Sequence, residues 1–385
     1  MKYNFDKVID RSGTSAEKVE GLKHIWGRTD LIPLWVADMD FATAPFVTDA
    51  IRKRCENEVL GYTGKPDSYY NAIINWVKQR YDLIVTKEVI NFVPGIVPGI
   101  GMAMNCFTQK GDKVMIQPPV YHPFAWVTTR NERTLVINPL KWENGMYRMD
   151  LDAFREQIKG CKLFILCNPH NPGGVVWTEA ELRAIADICY DEKVLVFSDE
   201  IHADLTLPPH THRPFATVSE KARMNSVTFM SPSKAFNMPG LSASHALIFN
   251  EDLRKRFRIY MDAGELDMGH VFAFLSVEAA YSHGTEWLDQ CLAYIQGNID
   301  FVDEFLKKHA PKIKAIRPEA SYLVWLDCRE LELSQKDLNE FFVDKAHLAL
   351  NDGEMFGKEG IGFMRLNVAS PRCIIEKAMK QLADA

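Results

Sequence analysis

The chain has 385 residues, 47% hydrophobic and 25% charged, with a formal net charge of -6. That length exceeds the roughly 250 to 300 residues at which single cores stop growing, so two domains are expected. The mild negative charge leaves no basic footprint for nucleic acid or for an anionic membrane, and points to small molecules or proteins as partners.

Eight cysteines are scattered with no Cys-x-x-Cys spacing. Most sit in apolar segments, where a free thiol behaves as a small hydrophobe, and a reducing, cytoplasmic setting is expected. The polar start lacks an apolar signal core and the apolar runs are strand-length, so the chain is expected to be neither secreted nor membrane-spanning.

In chain order, residues up to about Phe41 read as irregular, ending in the extended stretch Pro33-Leu-Trp-Val-Ala-Asp-Met-Asp-Phe41. Helical spacing covers Phe46 to Leu60, Gly61-Tyr-Thr-Gly-Lys-Pro66 breaks it as a loop, and Asp67 to Tyr81 resumes it. Seven β-type runs then alternate with helix-length segments: Ile90 to Pro94, Lys113 to Gln117, Thr134 to Ile137, Leu163 to Cys167, Val194 to Ser198, Val227 to Met230 and Ala246 to Phe249. Such alternation predicts βαβ units and a mostly parallel sheet buried on both faces. Thr178 and Glu181 form a capping-box pattern at the start of one connecting helix. After Asn250 long helices follow, the longest from Trp287 to about His309. The tail then alternates Lys312 to Arg317, Tyr322 to Asp327, a helix near Ser334 to Lys345, and Phe363 to Val368. This α+β tail predicts a smaller second domain. The expected division is an amino-terminal segment 1–45 packing with the small domain, a large domain 46–285, and a small domain 286–385.

Five predicted strand ends carry chemistry at the sheet edge where open α/β sheets bind ligands. Gly95-Ile-Val-Pro-Gly-Ile-Gly101 opens a helix and offers free backbone N–H groups to a phosphate, although a plain strand-to-helix turn has the same look. Tyr121 supplies a flat ring, or is core. Asn168-Pro-His-Asn171-Pro-Gly-Gly174 is a rigid turn that aims an amide, or only a turn. Asp199 is a carboxylate that, once buried, requires a cationic partner such as a protonated pyridine nitrogen. A helix cap is the plainer alternative, and a metal site of Asp199, Glu200 and His202 lacks the usual helical spacing. Lys234, in Ser231-Pro-Ser-Lys-Ala-Phe-Asn237, has the placement of a Schiff-base nucleophile; a solvated surface lysine is the bland alternative.

Together these motifs resemble the fold type I pyridoxal-phosphate enzymes, the aminotransferase class I/II superfamily, over nearly the whole chain. More narrowly, Pro33 to Phe41, Gly61-Tyr-Thr-Gly64, Pro119-Val-Tyr-His-Pro-Phe124, Asn168 to Gly173, Ser198-Asp-Glu-Ile-His-Ala-Asp-Leu205 and Ser231 to Asn237 look like the MalY/PatB branch of cystathionine β-lyases. The resemblance implies an α/β fold with a seven-stranded, mostly parallel sheet in the large domain and pyridoxal 5'-phosphate as cofactor. It implies that Lys234 holds the cofactor covalently and then carries the Cα proton. Asp199 would keep the ring nitrogen protonated, Asn171 and His202 would contact the phenolic oxygen, and Tyr121 would stack on the ring. The Val97 amide and the Ser231 and Ser233 hydroxyls would hold the phosphate. Tyr62 would reach the phosphate of a neighbouring subunit, implying a homodimer with shared sites. Arg365 would clamp the substrate α-carboxylate; without the resemblance, it reads as a surface arginine on an edge strand.

Two departures stand out. Ser242 replaces the phosphate-binding arginine that many superfamily members carry eight residues after the lysine, and Gly173-Gly174 replaces the commoner Thr-Gly. The activity implied is β-elimination from L-cystathionine or related L-cysteine conjugates, giving thiol, pyruvate and ammonia. An aminotransferase using the same residues is the alternative, and a catalytically idle regulator that binds a protein is a third reading.

Overall fold

A computed structural model describes residues 3–385. All seven expected runs form one sheet: β1 (Ile90–Val93), β2 (Lys113–Ile116), β3 (Thr134–Ile137), β4 (Cys161–Cys167), β5 (Leu195–Asp199), β6 (Ser226–Met230) and β7 (Ser244–Leu247). Their spatial order is β1-β7-β6-β5-β4-β2-β3, and only β7 runs antiparallel to its neighbours. Both faces are covered, as the unbroken apolar runs require. Along β4, Leu163, Ile165 and Cys167 enter one core cluster while Phe164 and Leu166 enter another.

The helix after β1 runs Ile96–Phe107, and the capping box of Thr178 and Glu181 is formed on the helix Glu179–Asp191. Two further helices, Glu251–Ala263 and Val271–His283, precede the long helix Thr285–His309. A second sheet then forms from β8 (Lys314–Ile316), β9 (Leu323–Asp327), β10 (Asn351–Asp352) and β11 (Phe363–Asn367), in the order β8-β9-β11-β10. Strand β11 is therefore interior, not an edge. The largest core cluster runs from Phe5, Leu34, Met39 and Phe41 through Trp76 and Phe236 to Trp287, Tyr322 and Leu366. The amino-terminal segment thus packs against both sheets' supporting layers.

That segment corrects one expectation: it is not irregular throughout. Helix α1 spans Glu17–Trp26, with Glu17 and Glu20 in its first turn, Lys23 and His24 in its last, and Gly27 closing it at φ 67°. These are favourable dipole and cap choices. Its buried face consists of Lys18, Gly21 and Leu22, with one large apolar residue among them, so hydrophobic periodicity had almost nothing to report. The hairpin Lys141–Glu143 with Met146–Arg148, and the pairing of Ile32–Pro33 with Leu348–Ala349, also lie outside the sequence reading.

Candidate active site

The carboxyl ends of β4, β5 and β6 lie side by side and are tied by their own backbones. Asn168 N–H donates to the Asp199 carbonyl (2.9 Å), and Glu200 N–H to the Phe229 carbonyl (2.9 Å). A cavity of about 210 Å³ opens above them, lined by Val97, Tyr121, Asn171, Asp199, His202, Ser233 and Lys234, with Ala37, Ile96 and Cys167 among its other walls. Seven of the ten expected site residues therefore meet in one place.

Gly174 explains part of the Asn171 turn. It adopts φ +67°, and a Cβ there would lie 2.4 Å from Pro318, so this close approach admits only glycine. Asn171 Oδ1 accepts from Arg365 Nη1 at 3.1 Å, which leaves the amide nitrogen to face the cavity as a donor. His202 Nδ1 is buried with no partner. Burial first, then the charges of Lys234 and Arg365, push the imidazole down to about 3, so it is neutral at physiological pH.

Asp199 accepts from the Ile201 N–H at 3.1 Å. Burial raises its carboxyl to about 7, with the Glu200 charge adding to the rise and the Ile201 bond and Lys234 opposing it. Such a group lacks a cation at hydrogen-bond range. Lys234 Nζ donates to the Ala37 carbonyl at 2.5 Å. Burial, assisted by Arg365 and opposed by Asp38 and Asp199, draws its ammonium down to about 8. At neutral pH a usable fraction of Lys234 is the neutral amine.

The helix that begins at Ile96 has no side-chain cap, so the N–H groups of Ile96 and Val97, two residues that line the cavity, lack an intrahelical partner. Ser233 lines the same end. Ser231 does not: its hydroxyl donates to the Ala243 carbonyl (2.6 Å) and accepts from Ser233, from the hydroxyl at 2.9 Å and the backbone N–H at 3.1 Å, so it orients Ser233 from behind. Tyr62 is also outside the cavity, 99% exposed in the loop before helix Asp67–Tyr81.

Arg365 sits behind Asn171 on interior strand β11 and is buried. It bonds only neutral acceptors: Asn171 Oδ1, Asn351 Oδ1 (2.5 Å) and the Trp35 carbonyl (3.1 Å). Its Nε has no partner and its guanidinium lies 4.8 Å from the Phe356 ring centroid. Burial lowers it to about 10. A buried guanidinium with no carboxylate within ion-pair distance among the described residues is a site that calls for an anion.

Sequence reading gave no role to the clamp that holds Ala37. Asn367 Nδ2 donates to the Val36 and Asp38 carbonyls (both 2.7 Å), and Asn237 Nδ2 to Met39 (3.0 Å) and Phe41 (2.7 Å). Tyr322 OH donates to the Ala37 carbonyl at 2.9 Å. Fully buried Lys18 pairs with Asp40 (2.9 Å) and Asp38 (3.6 Å), and Arg11 pairs with both acids. The sequence marked Pro33 to Phe41 and Ser231 to Asn237 as motifs of the resemblance, without assigning their side chains this role.

The residues fit pyridoxal phosphate on their own chemistry: an amine, an unpaired carboxylate at the far wall, a free amide and imidazole between them, and unsatisfied N–H groups at a helix start. The chain is 38% identical to cystathionine beta-lyase PatB of Bacillus subtilis, over 99% of each chain. It is 30% identical to protein MalY of Escherichia coli, over 100% of this chain and 98% of the other. Cystalysin from Treponema denticola, whose crystal structure contains a pyridoxal 5'-phosphate cofactor, superposes with a TM-score of 0.96 at 33% identity, covering 100% of this chain and 98% of that one. The family model for aminotransferase class I and II matches residues 29–382, and the chain belongs to that family.

Proposed function

We propose that the protein is a pyridoxal-phosphate-dependent carbon–sulfur β-lyase that cleaves L-cystathionine or related L-cysteine conjugates to a thiol, pyruvate and ammonia. Full-length relatedness to cystathionine β-lyases supports the reaction class. The observation that carries the amino-acid substrate is Arg365, buried among neutral acceptors with spare donor capacity beside the Lys234 cavity. An α-carboxylate satisfies it in bidentate fashion, which lysine does poorly.

When bound, the cofactor supplies an aldehyde for covalent capture of an amine and a protonated ring that draws electrons from the substrate Cα. Lys234 would hold the aldehyde carbon, Asp199 the ring nitrogen, the Asn171 amide and His202 the phenolic oxygen, and Tyr121 the ring face. The Val97 region and Ser233, backed by Ser231, would hold the phosphate. Lys234 would also take the Cα proton, since its depressed basicity makes its amine a competent base near neutrality. Arg365 and Asn171, joined at 3.1 Å, orient the carboxylate so that the Cα–H bond faces that amine.

The same reading gives a homodimer in which Tyr62 completes the partner's phosphate site. Tyr62 is supported here by its exposure together with Val59 (72%) and Leu60 (59%), an apolar run of the kind that partners cover. A cytoplasmic location is supported by eight unpaired cysteines. No helix among the described residues is long and apolar enough to cross a membrane.

The test is incubation of the purified protein with pyridoxal phosphate and L-cystathionine, without keto acid. Equal, catalytic release of pyruvate and thiol is expected. Amino-group exchange that requires a keto acid acceptor, with no thiol released, would replace the lyase by an aminotransferase.

A further inference from the structure

Directly after Asp199 stands a second buried acid that the reaction does not use. Glu200 is 1% exposed and His212 is 3% exposed. The Glu200 carboxylate accepts three bonds of 2.8 Å: from Ser198 Oγ and the Phe215 N–H on Oε1, and from His212 Nε2 on Oε2. Three donors converging on one carboxylate is the pattern of an acceptor-only anion. His212 Nδ1 has no partner, so the ring serves as an Nε2–H donor.

The turn that follows is pinned at its other end as well. Trp76 Nε1 (3.0 Å) and Tyr81 OH both donate to Asp204 Oδ1, and the Tyr81 ring meets His212 edge-on at 5.5 Å. Between the two anchored acids lies His202, and immediately before them Asp199. Within the turn, Ala203 N–H donates to the Glu200 carbonyl (3.0 Å) and Leu205 N–H to that of His202 (2.9 Å).

We propose that Glu200 is a positioning residue for the cofactor end of the cavity: its anchored carboxylate fixes the turn that presents Asp199 and His202, and places a second negative charge behind Asp199. Neighbouring carboxylates in a dry site resist being charged together, and a cation between them and the cavity relieves the repulsion. Glu200 thereby strengthens the demand for a positively charged ring nitrogen. The inference rests on the reading that Asp199 faces that nitrogen.

The experiment compares apoprotein affinity, followed by absorbance, for pyridoxal phosphate and for its 1-deaza analogue, which has the same shape without a basic ring nitrogen. E200Q is expected to weaken pyridoxal phosphate binding by roughly fivefold or more and the deaza analogue by less than about twofold. Equal affinity of E200Q and the wild type for pyridoxal phosphate, or an equal loss for both ligands, overturns the proposal. Should E200Q fail to fold, S198A removes one donor and is expected to show the same selective loss at roughly two- to threefold; absence of that selectivity overturns it equally. D199N serves as the control. If D199N binds pyridoxal phosphate as the wild type does, the reading of Asp199 itself fails; if D199N loses it selectively while E200Q is unchanged, only the role of Glu200 fails.

Discussion

The two walls of the proposed active site are built by different means. The wall proposed to hold the cofactor comes from consecutive strand ends of one sheet: Asn171 after β4, Asp199 closing β5 and Lys234 after β6. The wall proposed to hold the substrate is assembled from the amino-terminal segment and the second sheet. There Arg365 reaches the Trp35 carbonyl and Asn351, and Ala37 is held by Tyr322 and Lys234. A parallel sheet places its ligand edge by topology alone, whereas the second wall exists only once residues some 330 positions apart have met. The first wall should therefore govern cofactor binding, and the second should govern substrate and respond to distant packing.

The largest effect expected is at Lys234. K234A should lower turnover by at least about 10³-fold while pyridoxal phosphate still binds non-covalently, as read by its absorbance after gel filtration. Near-normal thiol release would break the assignment. The Lys234 amine also predicts a pH profile. Because its folded value is lowered to about 8, attachment of pyridoxal phosphate to the apoprotein should accelerate about tenfold per pH unit below that point and level off above it.

At Asp199 a trade-off is expected. Its folded value of about 7 lies above the ordinary 3.8, so its contribution to apoprotein stability is present below pH 4 and lost as pH rises through 7. D199N should thus gain about 1–3 kcal/mol relative to wild-type apoprotein between pH 4 and pH 8. It should at the same time bind cofactor at least roughly tenfold more weakly. Urea titration of both apoproteins at the two pH values checks the first part.

On the substrate side, K18M leaves Asp38 and Asp40 with Arg11 alone in a partly buried site. It should cost about 2–4 kcal/mol in a denaturant melt and raise KM more than it weakens cofactor binding. The smallest signal concerns Tyr62. Mixing Y62A and K234A subunits should give more activity than the two variants assayed apart, because half the random dimers of the proposed homodimer carry one complete site. No recovery would return each site to a single chain.

The difference between the walls also decides what was legible in the sequence. The seven strands and the residues at their ends follow from period and punctuation, and the boundaries hold to within two residues. Helix α1 was lost because its buried face carries a lysine and a glycine, a face that only the Asp38 and Asp40 carboxylates make stable. Arg365, read without the family likeness, belongs on an edge, because nothing local reveals that the short strand Asn351–Asp352 covers it. Ser231 and Ser233 looked equivalent; the Ala243 carbonyl, reached only through the turn at Ser242, takes Ser231 out of the cavity.

The division of labour between the walls is tested most directly by R365K, measured for cofactor dissociation constant and for KM on L-cystathionine in the same preparation. Unchanged cofactor affinity with KM raised at least roughly tenfold is the predicted result. A loss of cofactor affinity in step with KM, or an unaltered KM, would contradict it.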